Sequence, residues 1–386
     1  MKFLHTSDWH LGAAISGIIR IGEQREILRV IAKAAIDENV DLIIAAGDIF
    51  DSPNPSAEAE ALFYETLELL TKNTPVLIIA GNHDSPERLT ASNPVTFGRG
   101  VISVGTLSTP ILSGNCGAAE VKNTAPGCVE LKIKGETAII LTMPFASERR
   151  LNRIFPCSEL DSQLQSIFDG LAENFRNDTV NLIVSHIFVT GGNKTGDSHF
   201  EREIGGSFAA DIDIFPPNAQ YVALGHLHRP QKIGGTPVYY SGSPLQYSFN
   251  ESGYSKSVNI VEVKPGQPAE VRQVLLPCLK PLEVWRTSSA DEALEMCAQN
   301  SGRSCFVHIK ISSGEVLGRA IINEMRSLKA DIVEIETEYL LDEEFIPESS
   351  EKSFDENFAE FYRAKKGRDP LPELLDLLHE VLEEGK

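Results

Sequence analysis

The sequence predicts an α/β protein: a mixed α/β sandwich, then a small α/β unit, then a helical tail. Three observations carry that prediction. The first part of the chain alternates strand-like and helix-like segments, as βαβ units do. The apolar runs that follow arrive with little helix between them. Polar residues repeatedly stand where an apolar run ends: "GD" after "LIIAA", "GNHD" after "VLIIA", "SH" after "LIV" and "GHLH" after "YVAL". In open α/β sheets the crevice beyond the carboxyl ends of strands is where sites are built.

Taken in order, "KFLHTSD" reads as a strand, Glu23 to Asn39 as an amphipathic helix and "DLIIAAGD" as a buried strand. Ser56 suits the N-cap of a helix running to about Thr71. "PVLIIAGNHD" is the next strand and loop, followed by apolar runs at "TAIILTMPF", "NLIVSHIFV", "AQYVALGH", "TPVYYSGS" and "SVNIVEV". From about Cys278 the pattern changes. "LEVWRT", a helix near Ala290 to Gln299, "CFVHIKI", a helix near Leu317 to Leu328 and "VEIETEY" form a compact βαβαβ unit. A polar linker, "LLDEEFIPESSEKS", leads into two amphipathic tail helices. Phe354, Phe358, Phe361 and Tyr362 stripe the first, and Leu371, Leu374, Leu375, Leu378, Val381 and Leu382 the second. The expected boundaries are 1–277, 278–340 and 341–386.

A chain of 386 residues suits one large domain with smaller additions. Its composition, 42% hydrophobic and 23% charged, is that of a soluble globular protein. "MKFLHTSDWH" lacks a signal-peptide pattern, and no apolar run reaches membrane-span length. The six cysteines include no CxxC pair, which favours reduced thiols in a cytoplasmic protein over a zinc ribbon or disulfide framework. The net charge of -20 disfavours a phosphate-backbone partner. Residues 341–386 carry 14 acidic against 6 basic residues, however, and bound cations offset acidic charge at a site.

"TSDWHLG" raises the question of chemistry. If the strand continues, Asp8 and His10 share a face and Trp9 points away. That is half of a metal site or an ordinary loop entrance. The other strand ends supply Asp48, Asn82, His83, His186, His226 and His228. This mixture of carboxylate, amide oxygen and imidazole, without thiolate, suits Mn²⁺ first, with Fe²⁺, Zn²⁺ and Mg²⁺ also admissible. There are too many donors for one ion and enough for two, with Asp48 placed to bridge. Two ions ~3.5–4 Å apart clamp an in-line displacement at phosphorus.

"DWH", "GDIFD", "GNHD", "SH" and "GHLH", in that order, resemble the signature of the calcineurin-like dimetal phosphoesterases. Within that superfamily the chain resembles the SbcD exonuclease-subunit family, bacterial nuclease partners of the SbcC ATPase. The resemblance extends over nearly the whole length, including "SGSPLQYSFNE", the small capping unit and the tail. It implies a calcineurin-like metallophosphoesterase sandwich of two mixed β-sheets flanked by helices. It assigns Asp8, His10, Asp48 and His228 to one ion, and Asp48, Asn82, His186 and His226 to the other. His83 is implied to act on the scissile phosphate as general acid or charge stabiliser, with Asp84 orienting it. The implied function is metal-dependent hydrolysis of DNA, exonucleolytic and endonucleolytic, in repair and recombination. The implied partners are DNA ends and hairpins, a second copy of the chain, and two SbcC-type ATPases that dock on the tail. No GxxxxGK[ST] loop is present for ATP itself.

Other positions have plainer readings. Asp51 suits a contact behind a ligand, a DNA contact, or turn formation before Pro53. Arg88 and Arg229 suit phosphate contacts or surface ion pairs, and Arg88, Arg149, Arg150 and Arg153 are the expected basic surface. His5, His199, His308 and His379 read as core or surface histidines. The alternative function is a phosphatase or small-molecule phosphodiesterase of the same superfamily. "GDIFDSP" and "GNHD" disfavour the protein-phosphatase branch, which resemblance associates with an Arg after "GDxxD" and with "GNHE". A scaffold that retains only the fold would lack a ligand, and none is missing. The stretch "STPILSGNCGAAEVKNTAPGC" (108–128) has no assigned role.

Overall fold

The structure, a computed structural model, describes residues 1–145, 160–194, 209–312, 317–338, and 358, 362, 363, 370 and 374. Strand β1 (Lys2–Thr6) is followed by a short hairpin, β2 (Ala14–Ile15) and β3 (Ile18–Ile19), and by helix α1 (Ile21–Asp37). Strand β4 (Leu42–Ala46), helix α2 (Ala57–Leu70) and strand β5 (Val76–Ile79) come next. Two short helices, α3 (Pro86–Thr90) and α4 (Asn93–Thr96), lead to β6 (Val101–Val104). β1, β4, β5 and β6 run parallel, joined by these helices.

The second sheet begins with an antiparallel meander: β7 (Gly114–Cys116), β8 (Ala119–Ala125), β9 (Cys128–Ile133) and β10 (Glu136–Met143). Helix α5 (Leu160–Ala172) precedes β11 (Val180–His186), which is parallel to β10, and β12 (Tyr221–Gly225) is parallel to β11. β13 (Gln231–Lys232) and β14 (Val238–Tyr240) complete it in the order β13-β14-β12-β11-β10-β9-β8-β7. The chain then returns to the first sheet with β15 (Ser257–Glu262), antiparallel to β1, and β16 (Glu270–Leu275) at the edge. Both sheets are therefore mixed, as the family resemblance implies.

The run "LIIAA" is apolar throughout because β4 is covered on both faces. Leu42, Ile44 and Ala46 join an inter-sheet core with Leu182, Val184 and Ala223, while Ile43 and Ala45 pack into the α1 and α2 layer with Ile31 and Phe63. His5 is buried between the sheets, its Nδ1 2.9 Å from the Tyr221 hydroxyl. Stretch 108–128 proves to hold the edge strand β7 and its neighbour β8.

The small α/β unit is β17 (Leu282–Thr287), α6 (Ala290–Gln299), β18 (Phe306–Ser312), α7 (Arg319–Leu328) and β19 (Ile332–Glu338), in strand order β17-β18-β19. It has its own core around Trp285, Ile309 and Met325, and meets the hairpin through Ile15, Leu282 and Phe306. Arg149, Arg150, Arg153, His199, His379 and nearly all of the tail stripes lie outside the described residues. Among the described residues no helix is long and apolar enough to cross a membrane.

Candidate metal centre

β1 and β4 end side by side, and the chain turns sharply after each. The Asp8 N–H donates to the Gly47 carbonyl (2.9 Å) and the His10 N–H to the Asp48 carbonyl (3.0 Å), lacing the two turns together. Asp8 (φ 53°), His10 (44°), Asp48 (50°) and His226 (99°) all adopt left-handed backbone. For residues other than glycine this costs on the order of 1–3 kcal/mol each and concentrates at functional sites. It corrects the expectation of strand alternation: β1 stops at Thr6, and the turn itself brings Asp8 and His10 together.

The glycines of the motifs are there for close approach. A Cβ on Gly47 would stand 2.4 Å from His186 Nδ1, and one on Gly81 2.1 Å from Asp48 Oδ1.

The donors gather as three overlapping groups. Ligand atoms of Asp8, His10 and His228 lie within 4.8 Å of one another, as do those of Asp8, Asp48 and His186 and those of His10, Asp48 and His83. His10 Nε2 is 3.1 Å from His228 Nε2. Asn82 Oδ1 is 2.9 Å from His186 Nε2 and 3.0 Å from His226 Nδ1. Asp48 joins the groups: Oδ1 accepts the His83 backbone N–H (2.8 Å), while Oδ2 lies 3.6 Å from His10 Nε2 and 3.4 Å from His186 Nε2 without hydrogen-bond geometry. Asp8 is held by the Ser7 hydroxyl (2.5 Å) and the His226 N–H (2.9 Å).

The protonation pattern tests whether cations fit. His186 Nδ1 faces the Ala46 carbonyl at 2.8 Å, and a carbonyl only accepts, so Nδ1 carries a proton. In neutral His186, Nε2 is then a bare lone pair aimed at the oxygens of Asn82 and Asp48. His228 Nδ1 meets the Glu251 carboxylate at 3.0 Å, which turns its Nε2 lone pair toward His10 Nε2, while the Asp51 carboxylate lies 3.5 Å from His10 Nδ1. Acceptors converging on acceptors in a buried site call for cations between them. Without a cation, a proton takes that place at His186. Burial pushes His186 down, but the carboxylates of Asp48 and Asp8 outweigh it and raise it to about 9. Burial raises Asp48, yet His186, His10 and His83 pull it well below the carboxylate range. Burial, reinforced by His186, lowers His226 to about 3.

His83 is half-buried, its ring edge-to-face with His10 at 4.8 Å. The contact that fixes its ring comes from the Asp51 carbonyl, 2.8 Å from Nδ1. This corrects the orienting role expected of Asp84. The Asp84 carboxylate instead accepts the N–H groups of Ile49 (3.1 Å), Phe50 (2.9 Å) and Gly81 (2.8 Å), tying the "GDIFD" loop to the "GNHD" loop. Burial, and then the charge of Asp48, push Asp84 up to about 6. Arg88 makes the plain surface ion pair, 2.6 Å from Glu60, and exposed Arg229 lies over the Tyr254 ring at 5.3 Å.

Residue-by-residue reading of the sequence missed the frame behind the "DWH" turn. Gln24 donates to the His10 carbonyl (2.7 Å) and to the Tyr247 hydroxyl (3.2 Å), and Tyr247 donates to the Trp9 carbonyl. Glu251 and Lys256 were missed as well, and the only signal for Tyr247 and Glu251 is their place in "SGSPLQYSFNE".

The family model for calcineurin-like phosphoesterases matches residues 1–230. The SbcD subunit of the nuclease SbcCD from Bacillus subtilis (strain 168) is 36% identical over 383 residues, covering 95% of this chain and 94% of that protein. The SbcD subunit from Rhodobacter capsulatus is 33% identical over 72% of this chain and 69% of its own length. That of Staphylococcus epidermidis is 30% identical over 81% and 79%. The chain therefore belongs to the calcineurin-like phosphoesterases and, among them, to the SbcD family of SbcCD nuclease subunits.

Proposed function

We propose that this chain is the nuclease subunit of an SbcCD-type complex, hydrolysing DNA phosphodiester bonds as a Mn²⁺-dependent exonuclease and endonuclease in repair and recombination. The observation that carries the proposal is Asp48 Oδ2, buried between His10 Nε2 (3.6 Å) and His186 Nε2 (3.4 Å) with further donors on either side. Asp8, His10, Asp48 and His228 would hold one ion, and Asp48, Asn82, His186 and His226 the other. Such a pair supplies an activated water and neutralises charge building on the phosphate. Left-handed turns and backbone clamps hold the ligands before substrate arrives, which lowers reorganisation during reaction. His83 presents its ring at the same edge, with Asp51 fixing Nδ1 as the protonated nitrogen. With Nδ1–H held by the Asp51 carbonyl, only the doubly protonated ring has an Nε2–H to give, and the part of that Nε2–H is to hydrogen-bond or protonate the departing sugar oxygen. Exposed Arg229, directly after "GHLH", would meet a DNA phosphate.

The chain acts as a dimer with two SbcC-type ATPases, and its acidic tail docks on them. The test compares wild type with His83→Ala in Mn²⁺, on end-labelled duplex and hairpin DNA with and without the ATPase. A generic phosphodiester and a phosphomonoester serve as the second arm. DNA cleavage lost by ~10²–10⁴-fold in the variant, with bound metal retained, supports the nuclease and the role of His83. Turnover of only the small esters, even with the ATPase, overturns the DNA assignment in favour of a small-ester phosphodiesterase.

A further inference from the structure

Behind the His10 and His228 side of the site lies a fully buried ionic group. Glu251 ends the short 3-10 helix Phe249–Glu251 and has no exposed surface. One carboxylate oxygen is 3.0 Å from His228 Nδ1, and the other accepts Lys256 Nζ at 2.5 Å. Lys256 is 6% exposed and also donates to the His228 carbonyl (2.9 Å) and to Ser243 Oγ (2.8 Å). Of the other histidines proposed as ligands, His10 has only the part-exposed Asp51 carboxylate 3.5 Å from Nδ1, His186 is backed by the Ala46 carbonyl, and His226 Nε2 meets no hydrogen-bond partner among the described residues.

A buried carboxylate and ammonium are costly to keep and are often replaceable by apolar packing, so this pair calls for a task. The geometry points to Glu251 as a positioning residue for the first ion: it keeps the proton of His228 on Nδ1 and aims the Nε2 lone pair into the site, while Lys256 fixes which carboxylate oxygen faces the imidazole. The inference rests on the proposed ligand role of His228. Glu251 also links the site to the small α/β unit. Its carbonyl accepts the Gln246 amide (3.0 Å), and Gln246 Oε1 accepts the Leu282 N–H (3.0 Å) at the start of β17.

The role makes an unusual claim about an isosteric change. In Glu251→Gln, Lys256 is donor-only and takes the amide oxygen. The amide nitrogen then faces His228 Nδ1, which must accept, and the imidazole proton moves to Nε2, where it competes with the ion. Mn²⁺ affinity at one of two sites is expected to fall ~10–100-fold, the usual scale for the loss of a carboxylate behind a ligating histidine. Adding Lys256→Met frees the amide to rotate, so the double variant is expected to recover most of that affinity. A merely structural ion pair predicts the reverse, with the double variant no better than the single.

The experiment is a Mn²⁺ titration of wild type, Glu251→Gln, Glu251→Gln/Lys256→Met and His228→Gln, with unbound ion counted by its EPR signal. It is paired with imidazole ¹⁵N NMR of the Zn²⁺-loaded wild type, in which the His228 Nδ1–H is expected far downfield and slow to exchange. Unchanged binding in Glu251→Gln, or a double variant weaker than the single, overturns the inference if His228→Gln still loses a site. A His228→Gln protein that binds Mn²⁺ like wild type instead overturns the ligand assignment beneath it. Should Glu251→Gln fail to fold, the wild-type spectrum decides alone: a fast-exchanging His228 Nδ1–H refutes the role.

Discussion

Single residues divide into those whose chemistry is visible in sequence and those whose job is steric or backbone-borne. The candidate donor set was legible because metals demand particular donor atoms, and all of these stand at strand ends. What fixes the donors was not. Ala46 and Asp51 act through their carbonyls, which any residue supplies, and Glu251 lies 23 residues from His228. Gly81 belongs with the hidden group. A methyl there would stand 2.1 Å from Asp48 Oδ1, the oxygen that now accepts the His83 N–H. Gly81→Ala must displace Asp48 or the His83 loop, and Mn²⁺ affinity is expected to fall at least ~10-fold with a comparable loss of turnover. Gly98→Ala is the control, since a Cβ there meets nothing within 4 Å. Equal Mn²⁺ titration curves for the two variants would show that the close approach at Gly81 is unimportant.

At the level of elements, helices with caps and strands buried on both faces were readable, and edge strands were not. Ser56 caps α2 as expected, accepting the Ala59 N–H at 3.2 Å, and Ser289 caps α6 in the same way. Ser56→Ala is expected to cost about 1 kcal/mol, measured by denaturant unfolding. β7 and β16 escaped because edge strands need no continuous apolar run, and β8, next to the edge, escaped with them; β16 has no fully buried position. The small α/β unit hides a buried cation of its own. Lys329, 1% exposed, donates to Asp331 Oδ2 (2.7 Å), whose other oxygen accepts Lys280 (2.7 Å). Burial would raise the Asp331 carboxyl, but the two lysines outweigh it and hold it below the usual range. Its folded pKa is depressed, so its contribution is present above the unfolded value and lost as pH falls through the folded one. Asp331→Asn should therefore destabilise by about 1–2 kcal/mol at pH 7, a value tempered by partial exposure. The gap from wild type should close below about pH 4. A gap independent of pH would assign the effect to packing.

Across the whole molecule, the centre makes metal, protons and stability one linked system. Without cations the site answers its own carboxylates with a proton, and His186 is raised to about 9 by Asp48 and Asp8 against the effect of burial. A folded pKa above the unfolded ~6.5 adds stability to the metal-free protein below pH 6.5, and that addition is lost as pH rises through 9. In the loaded protein a cation takes the place of that proton, so binding near neutral pH must release it. Two consequences follow from the same sign. Mn²⁺ affinity should rise from pH 7 to pH 9, with proton release visible as a buffer-dependent heat of binding. The gain in Tm on adding Mn²⁺ to chelator-treated protein should widen over the same interval, because the metal-free form weakens while binding tightens. A Tm gain that is flat or shrinks from pH 7 to pH 9 would mean that His186 binds no proton in the metal-free fold, and that the empty site is balanced by rearrangement of its turns instead.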